Sequence, residues 1–90
     1  MYLAKVIGTV VSTSKDPRLT GFKLLLTRRL TEEAIEEGLP EVCVDTVGAG
    51  RGEIVIVTKG SSARFAADRR EAPIDSTIVG IVDAVEIGGR

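Results

Sequence analysis

Residues 53–59 read EIVIVTK, and residues 76–87 read STIVGIVDAVEI. Both are rich in β-branched residues and read as strands. A half-buried strand alternates apolar and polar side chains. These do not. In the first, Ile54 and Ile56 share one face while Val55 and Val57 share the other. In the second, Val79, Ile81, Val85 and Ile87 oppose Ile78, Val82 and Ala84. The stretch FKLLLTRR, 22–29, repeats the pattern, with Phe22, Leu24 and Leu26 set against Leu25. Strands that are apolar on both faces need cover on both sides. The economical source of the outer cover is other copies of the same chain.

Working outward, three more strands complete a β-rich chain. YLAKVIGTVVS, 2–12, is the first; 22–29 is the second; EVCVDTV, 41–47, is the third. The strands at 53–59 and 76–87 are then the fourth and fifth. Asp16-Pro17 and Gly21 mark a turn between the first two. In LTEEAIEEGLP, 30–40, Thr31 followed by Glu32 and Glu33 predicts a helix start, and Gly38 with Pro40 a stop. SSARFAADRRE, 61–71, predicts a second short helix capped by Ser61 or Ser62 and ended by Pro73. Five short strands with one or two short helices predict a mainly β protein, a small closed or nearly closed barrel. Closure also removes edges that would promote aggregation.

The chain has 90 residues, which predicts one domain, 1–90, with no linker. A domain of this size buries only about 60–65% of the surface its unfolded chain exposes. Disulfides, metals or partners usually make up the difference. Cys43 is the only cysteine, so no disulfide forms within one chain. With no histidine and no second cysteine, no zinc site is expected. Partner chains remain.

Lys and Arg total 12 against 13 Asp and Glu, a net charge of −1. That balance gives no reason to expect a nucleic acid or an anionic membrane as partner. Aromatics are 3% of residues, Tyr2, Phe22 and Phe65, too few for a platform that stacks bases. The N-terminus lacks a basic segment and a cleavage pattern, and no stretch approaches the ~18 apolar residues of a membrane span. A soluble protein of a reducing, intracellular compartment is expected.

The candidate chemistry lies in DTVGAGRGEIVIVTKGSSAR, 45–64. A phosphate-binding loop needs G-x-x-x-x-G-K-[S/T] before a helix. Here Glu53 follows Gly52 and a strand follows Glu53, so no nucleotide site is expected. The glycines read instead as a tight connection between strands, where backbone approaches backbone. Ser61 or Ser62 with Lys59 would be the one nucleophile–base pair, but the sequence lacks a nucleophile elbow and a helix cap explains the serines. Asp45 and Asp83 lie in apolar strands; a carboxylate pair for hydrolysis is conceivable, yet no aromatic sugar platform accompanies it, and a hydrogen-bonded structural or interface role is expected. Cys43, between Val42 and Val44, reads as packing. Arg64 can pair with a carboxylate across an interface. No catalytic residue, cofactor or metal is expected.

AKVIGTVVSTSKDPRLTGFKLLL near the start, VDTVGAGRGEIVIVTKGSSAR in the middle and PIDSTIVGIVDAVEI near the end together resemble the bacterial microcompartment vertex proteins of the EutN/CcmL family. The resemblance covers nearly the whole chain, in order and at similar spacing. It implies an OB-like barrel that assembles as a cyclic homopentamer. The pentamer would cap the fivefold vertices of a cytoplasmic protein shell tiled by hexameric and pseudohexameric shell proteins, without catalysis. It also gives the glycines an architectural place, with Asp45, Gly48, Gly50 and the run Gly60, Ser61, Ser62, Ala63 and Arg64 expected at a subunit interface or near the axis. The four glutamates at 32, 33, 36 and 37 would form an acidic patch able to tune docking to neighbouring shell proteins. The rival from another class is an OB-type module that binds nucleic acid or protein, which would present a basic groove with exposed aromatics.

Overall fold

The computed structural model describes residues 1–88. Five strands form one closed barrel: β1 (Tyr2–Val10), β2 (Lys23–Leu30), β3 (Glu36–Asp45), β4 (Ile54–Lys59) and β5 (Ser76–Ile81). Around the barrel the order is β1-β2-β3-β5-β4, and β4 returns to β1. Every pairing is antiparallel except β3 with β5. The chain can make that one parallel step because the whole of β4 and the helix that follows it lie between the two strands. The expected fold class, an OB-like five-stranded barrel, is what the chain adopts.

The alternation inside the strands sorts the aliphatics into two cores. Ala4, Val6, Leu25, Cys43, Val55, Val57 and Ile78 point inward and, with Ala49, fill the barrel. Their neighbours on the opposite face of β2 and β3, Leu24 and Val44, join Leu19, Phe22, Ala63, Ala67, Ala72 and Ile74 in a second core outside the barrel. The roof of that second core is α1 (Gly60–Ala66) together with the segment that leads from it to β5. Part of the two-faced pattern is therefore satisfied within one chain. The rest is not: Val42 is 48% exposed, Val85 48% and Ile81 37%.

Three expectations are corrected. No helix forms at 31–38. Thr31, read as a helix start, instead closes a hairpin: its Oγ1 accepts from the Glu33 and Ile35 amides, and its own amide donates to the Ile35 carbonyl at 2.9 Å. Ala34, at φ 63, completes the turn. β3 therefore starts at Glu36, five residues before the predicted 41. Gly38 and Pro40 are tolerated because the β2–β3 register jumps from Thr27↔Glu41 to Arg29↔Glu37. In that irregular stretch a missing Pro N–H interrupts no ladder bond.

The second helix is shorter than predicted. It covers Gly60–Ala66 with Lys59 at the cap position and no side-chain cap bond, so Ser61 and Ser62 lie in its first turn rather than before it. It ends well ahead of Pro73, where Asp68 takes φ 56. The fifth strand ends at Ile81, not 87. The Val82 amide reaches the Ile54 carbonyl at 2.8 Å, and there β4 begins, so residues further on have no strand partner. Asp83 consequently lies outside any strand.

Candidate assembly surface

The stretch 45–64 is two sites, not one. The glycine loop enters β4 and α1 leaves it. Five residue steps of strand separate Ile54 from Lys59, or roughly 17 Å at ~3.3 Å per residue.

At the loop end, Asp45 is nearly buried, and both its oxygens are used locally. Oδ1 accepts from the Val47 amide at 3.1 Å and Oδ2 from the Ala49 amide at 3.0 Å. The bonds fold the loop back so that Ala49, fully buried, plugs the barrel end, while Lys23 donates from Nζ to its carbonyl at 2.9 Å. Gly48, at the exposed tip, takes φ +78, a conformation costly for residues with a Cβ. Gly50 donates its amide to Glu53 Oε1 at 2.6 Å. A phosphate would need that amide, and a carboxylate already holds it. The loop's Val47, Ala49 and Gly50 amides are thus spent on carboxylates of the same loop and its flanks.

At the helix end, Gly60 turns the chain at φ +64, and its amide bonds the Asp75 carbonyl at 2.9 Å. Ser61 and Ser62 are exposed. Ala63 is fully buried in the second core, and its carbonyl accepts from Thr77 Oγ1 at 2.8 Å. Arg64 is half-buried and reaches the Ile74 carbonyl at 3.4 Å.

Beside them lies a polar hub that sequence reasoning missed. Lys59 Nζ contacts Glu41 Oε2 at 2.6 Å, Asp75 Oδ2 at 3.1 Å and Ser76 Oγ at 3.0 Å. Tyr2 donates its hydroxyl to the other Glu41 oxygen, and the Arg29 guanidinium stacks 3.8 Å from the Tyr2 ring centroid. The hydrogen bond to Glu41, then that to Asp75, hold the Lys59 ammonium above its ordinary pKa against an opposing push from burial. These residues come from all five strands and the segment before β5, so no local spacing signals them.

The polar groups of both ends are engaged with one another and with backbone. Lys59 is held by carboxylates and Ser76, so it does not act as a base for Ser61 or Ser62. Asp45 is committed to backbone amides. Cys43 is fully buried against Thr27 Oγ1 at 3.3 Å, and burial pushes its thiol up, away from the reactive thiolate. Among the described residues no group of three His, Cys, Asp or Glu could hold a metal, and no helix is long and apolar enough to cross a membrane. Exposed aliphatic side chains are the larger signal: Val42, Val47, Ile81, Val85 and Ile87 all lie at the surface.

Fold and site together define an OB-like barrel whose polar groups tie its own backbone together and part of whose aliphatic surface faces outward. The chain belongs to the EutN/CcmL family: the family model described as "Ethanolamine utilisation protein EutN/carboxysome" matches residues 1–83. It is 62% identical, over 96% of its length and 97% of the relative's, to the bacterial microcompartment shell vertex protein GrpN of Rhodospirillum rubrum. It is 49% identical to the carboxysome shell vertex protein CcmL of a Synechocystis species, over 97% of this chain and 87% of that one. Among solved structures, the pentameric microcompartment shell protein GrpN of R. rubrum superposes with a TM-score of 0.86 at 61% identity, covering 97% of this chain and 98% of that one. An ethanolamine utilization protein EutN superposes with a TM-score of 0.92 at 39% identity, covering 99% and 93%.

Proposed function

We propose that the chain is a single vertex domain, residues 1–90, that assembles as a homopentamer and caps the fivefold vertices of a bacterial microcompartment shell. The observation that carries this reading is the end-to-end match, in sequence and in fold, to the pentameric shell protein of R. rubrum. The outward aliphatics support it, because a ring protomer needs apolar surface beyond its own core. The role is structural rather than enzymatic. The partners are other copies and the hexameric and pseudohexameric proteins that tile the shell facets. Near the contacts or the axis we place Asp45, Gly48, Gly50 and Gly60 through Arg64. Within that set Asp45 and Ala63 act by shaping backbone, whereas Gly48, Ser61 and Ser62 present surface.

Native mass spectrometry of the purified chain at low micromolar concentration tests the ring, with five subunits expected. Co-expression with shell hexamers tests the vertex: closed particles should form only when this chain is present. A stable monomer, or closed particles without the chain, would refute the proposal.

A further inference from the structure

Two strands of the barrel run several residues past one of their partners. β3 pairs with β5 only at Val44 and Asp45, so among the described residues the side of 36–43 that faces away from β2 has no strand beside it. That edge is blunted: it carries Glu36, Glu37 and Glu41, and Pro40 offers no donor. β1 leaves β4 at Lys5. The last main-chain bonds on that side join Val6 to Gly52 at 2.8 Å and to Glu53 at 3.0 Å, while Gly8, Thr9 and Val10 continue along β2 alone. This second edge is not blunted. Residues 6–14 hold no charge and no proline, and Val11, just past the strand, is 85% exposed. An unprotected edge is a template for another strand. The same chain carries a segment with the complementary lack. Residues 82–87, VDAVEI, have the pattern of a strand and no strand to pair with. Among the described residues, the bond from the Val82 amide to the Ile54 carbonyl is the last main-chain bond of this segment, and 83–87 are exposed. The segment does not cover its own β1 edge: Asp83, Ala84 and Val85 lie by Leu3 and Leu30, at the other end of β1.

We infer that residues 83–87 of one protomer add as a strand to the open β1 edge, 7–11, of the next. The inference rests on the ring reading above and names the contact that closes it. Each copy offers one edge and one strand at different places on its surface, so the contact is heterologous, the kind that generates rings. The lengths match, five residues on each side, or roughly 16 Å at ~3.3 Å per residue. In strand addition main-chain bonds supply affinity and alternate side chains supply specificity. Val85 and Ile87 share one face of the added strand and bring it apolar surface beside Val11. Charge matches as well. Arg51, exposed next to Gly52, and Lys15 flank the edge, and the segment brings Asp83 and Glu86. The edge starts where the glycine loop meets Val6, which sets that loop beside the contact.

Hydrogen exchange of the full chain, with native mass spectrometry over a concentration series, decides it. The mass of the wild-type oligomer tests the ring reading alone. In that oligomer alternate amides of 83–87 should exchange at least about a hundredfold more slowly than in an unstructured peptide of the same sequence, although one copy gives them no partner. Val11→Glu sets a like charge against Asp83 and Glu86 and is expected to raise the concentration for half-assembly at least about tenfold, by a margin that shrinks with added salt. Asp83→Lys with Glu86→Lys should also weaken assembly, since lysines then meet Arg51 and Lys15. Combined with Val11→Glu, the two lysines should restore part of what either change loses alone. All three positions are exposed and lie outside the strands, so circular dichroism should stay that of the wild type. A wild-type pentamer whose 83–87 amides exchange freely overturns the inference and leaves the ring standing. So does a pentamer indifferent to Val11→Glu, or a combined variant with no recovery. A wild-type monomer overturns both.

Discussion

Replacing Asp45 with alanine removes the acceptor of two backbone amides in one step. The Val47 and Ala49 amides donate to its two oxygens at 3.1 and 3.0 Å. The two losses differ. Val47 is at the surface, so its amide regains water, and the net loss is about 1 kcal/mol. Ala49 is fully buried in the barrel core, so its amide is left without a partner. A buried orphan donor costs about 1–3 kcal/mol. The sum is about 3 kcal/mol, a large fraction of the roughly 5–13 kcal/mol expected for a domain of this size. Asp45→Asn keeps one acceptor oxygen and should cost about half as much. The measurement is urea denaturation at two protein concentrations a hundredfold apart, which separates the stability of the fold from that of the assembly. Hydrogen exchange adds a local readout, with the Ala49 amide losing protection while β1 and β4 amides away from the loop keep theirs. Asp45→Ala within 0.5 kcal/mol of wild type, with Ala49 still protected, would refute the reasoning and leave Asp45 without a role in holding the loop.

Gly48→Ala should cost about 1–2 kcal/mol in the same assay, purely from backbone strain at φ +78, because nothing lies within 4 Å of the added Cβ. Gly50→Ala tests the other kind of constraint: its φ is ordinary, and the new Cβ would meet only Glu53 Oε1 at 3.3 Å, the mobile end of a side chain, so the cost should be the smaller. Lys59→Met should lower Tm at neutral pH. Because hydrogen bonds to Glu41 and Asp75 raise the folded pKa of Lys59 above the unfolded value, its contribution is full below about 10.5 and fades as pH rises through the raised value. The Tm gap between variant and wild type should thus be constant from pH 7 to 9 and close on further alkalisation; a gap that widens there would contradict the network. The Cys43 thiol, raised by burial, should resist thiol reagents in the native protein at pH 8 and react at once in denaturant, and rapid labelling of the folded chain would place it at the surface instead.

Much of this architecture is legible in the order of residues. That 53–59 and 76–81 are strands follows from β-branched runs alone, but both faces read as apolar, and only the folded chain turns Val55, Val57 and Ile78 inward. The errors share a cause. Thr31-Glu32-Glu33 satisfies the local signature of a helix N-terminus, but the same threonine hydroxyl can hold a two-stranded turn, as it does through the Glu33 and Ile35 amides. β2 offers a ladder partner for Glu36 and Glu37, and pairing with it outweighs a weak helical preference. The run 82–87 fails for the mirror reason: its pattern suits a strand, but β4 is too short to pair with it.

Sequence alone determined the class of fold, five strands closing into a barrel, because periodicity and turn residues act locally and both are written in the order of residues. It also determined that some apolar surface would face outward, since both faces of several strands are aliphatic. Tertiary structure decided which of that surface stays exposed. Only the folded chain brings Leu24 and Val44 under α1, and leaves Phe65, Val42 and Val85 in solvent. Only the folded chain gathers Tyr2, Arg29, Glu41, Lys59 and Asp75 into one hub. Contacts of that kind depend on closure of the barrel, which sets residues far apart in the chain side by side, and no local pattern encodes such distances.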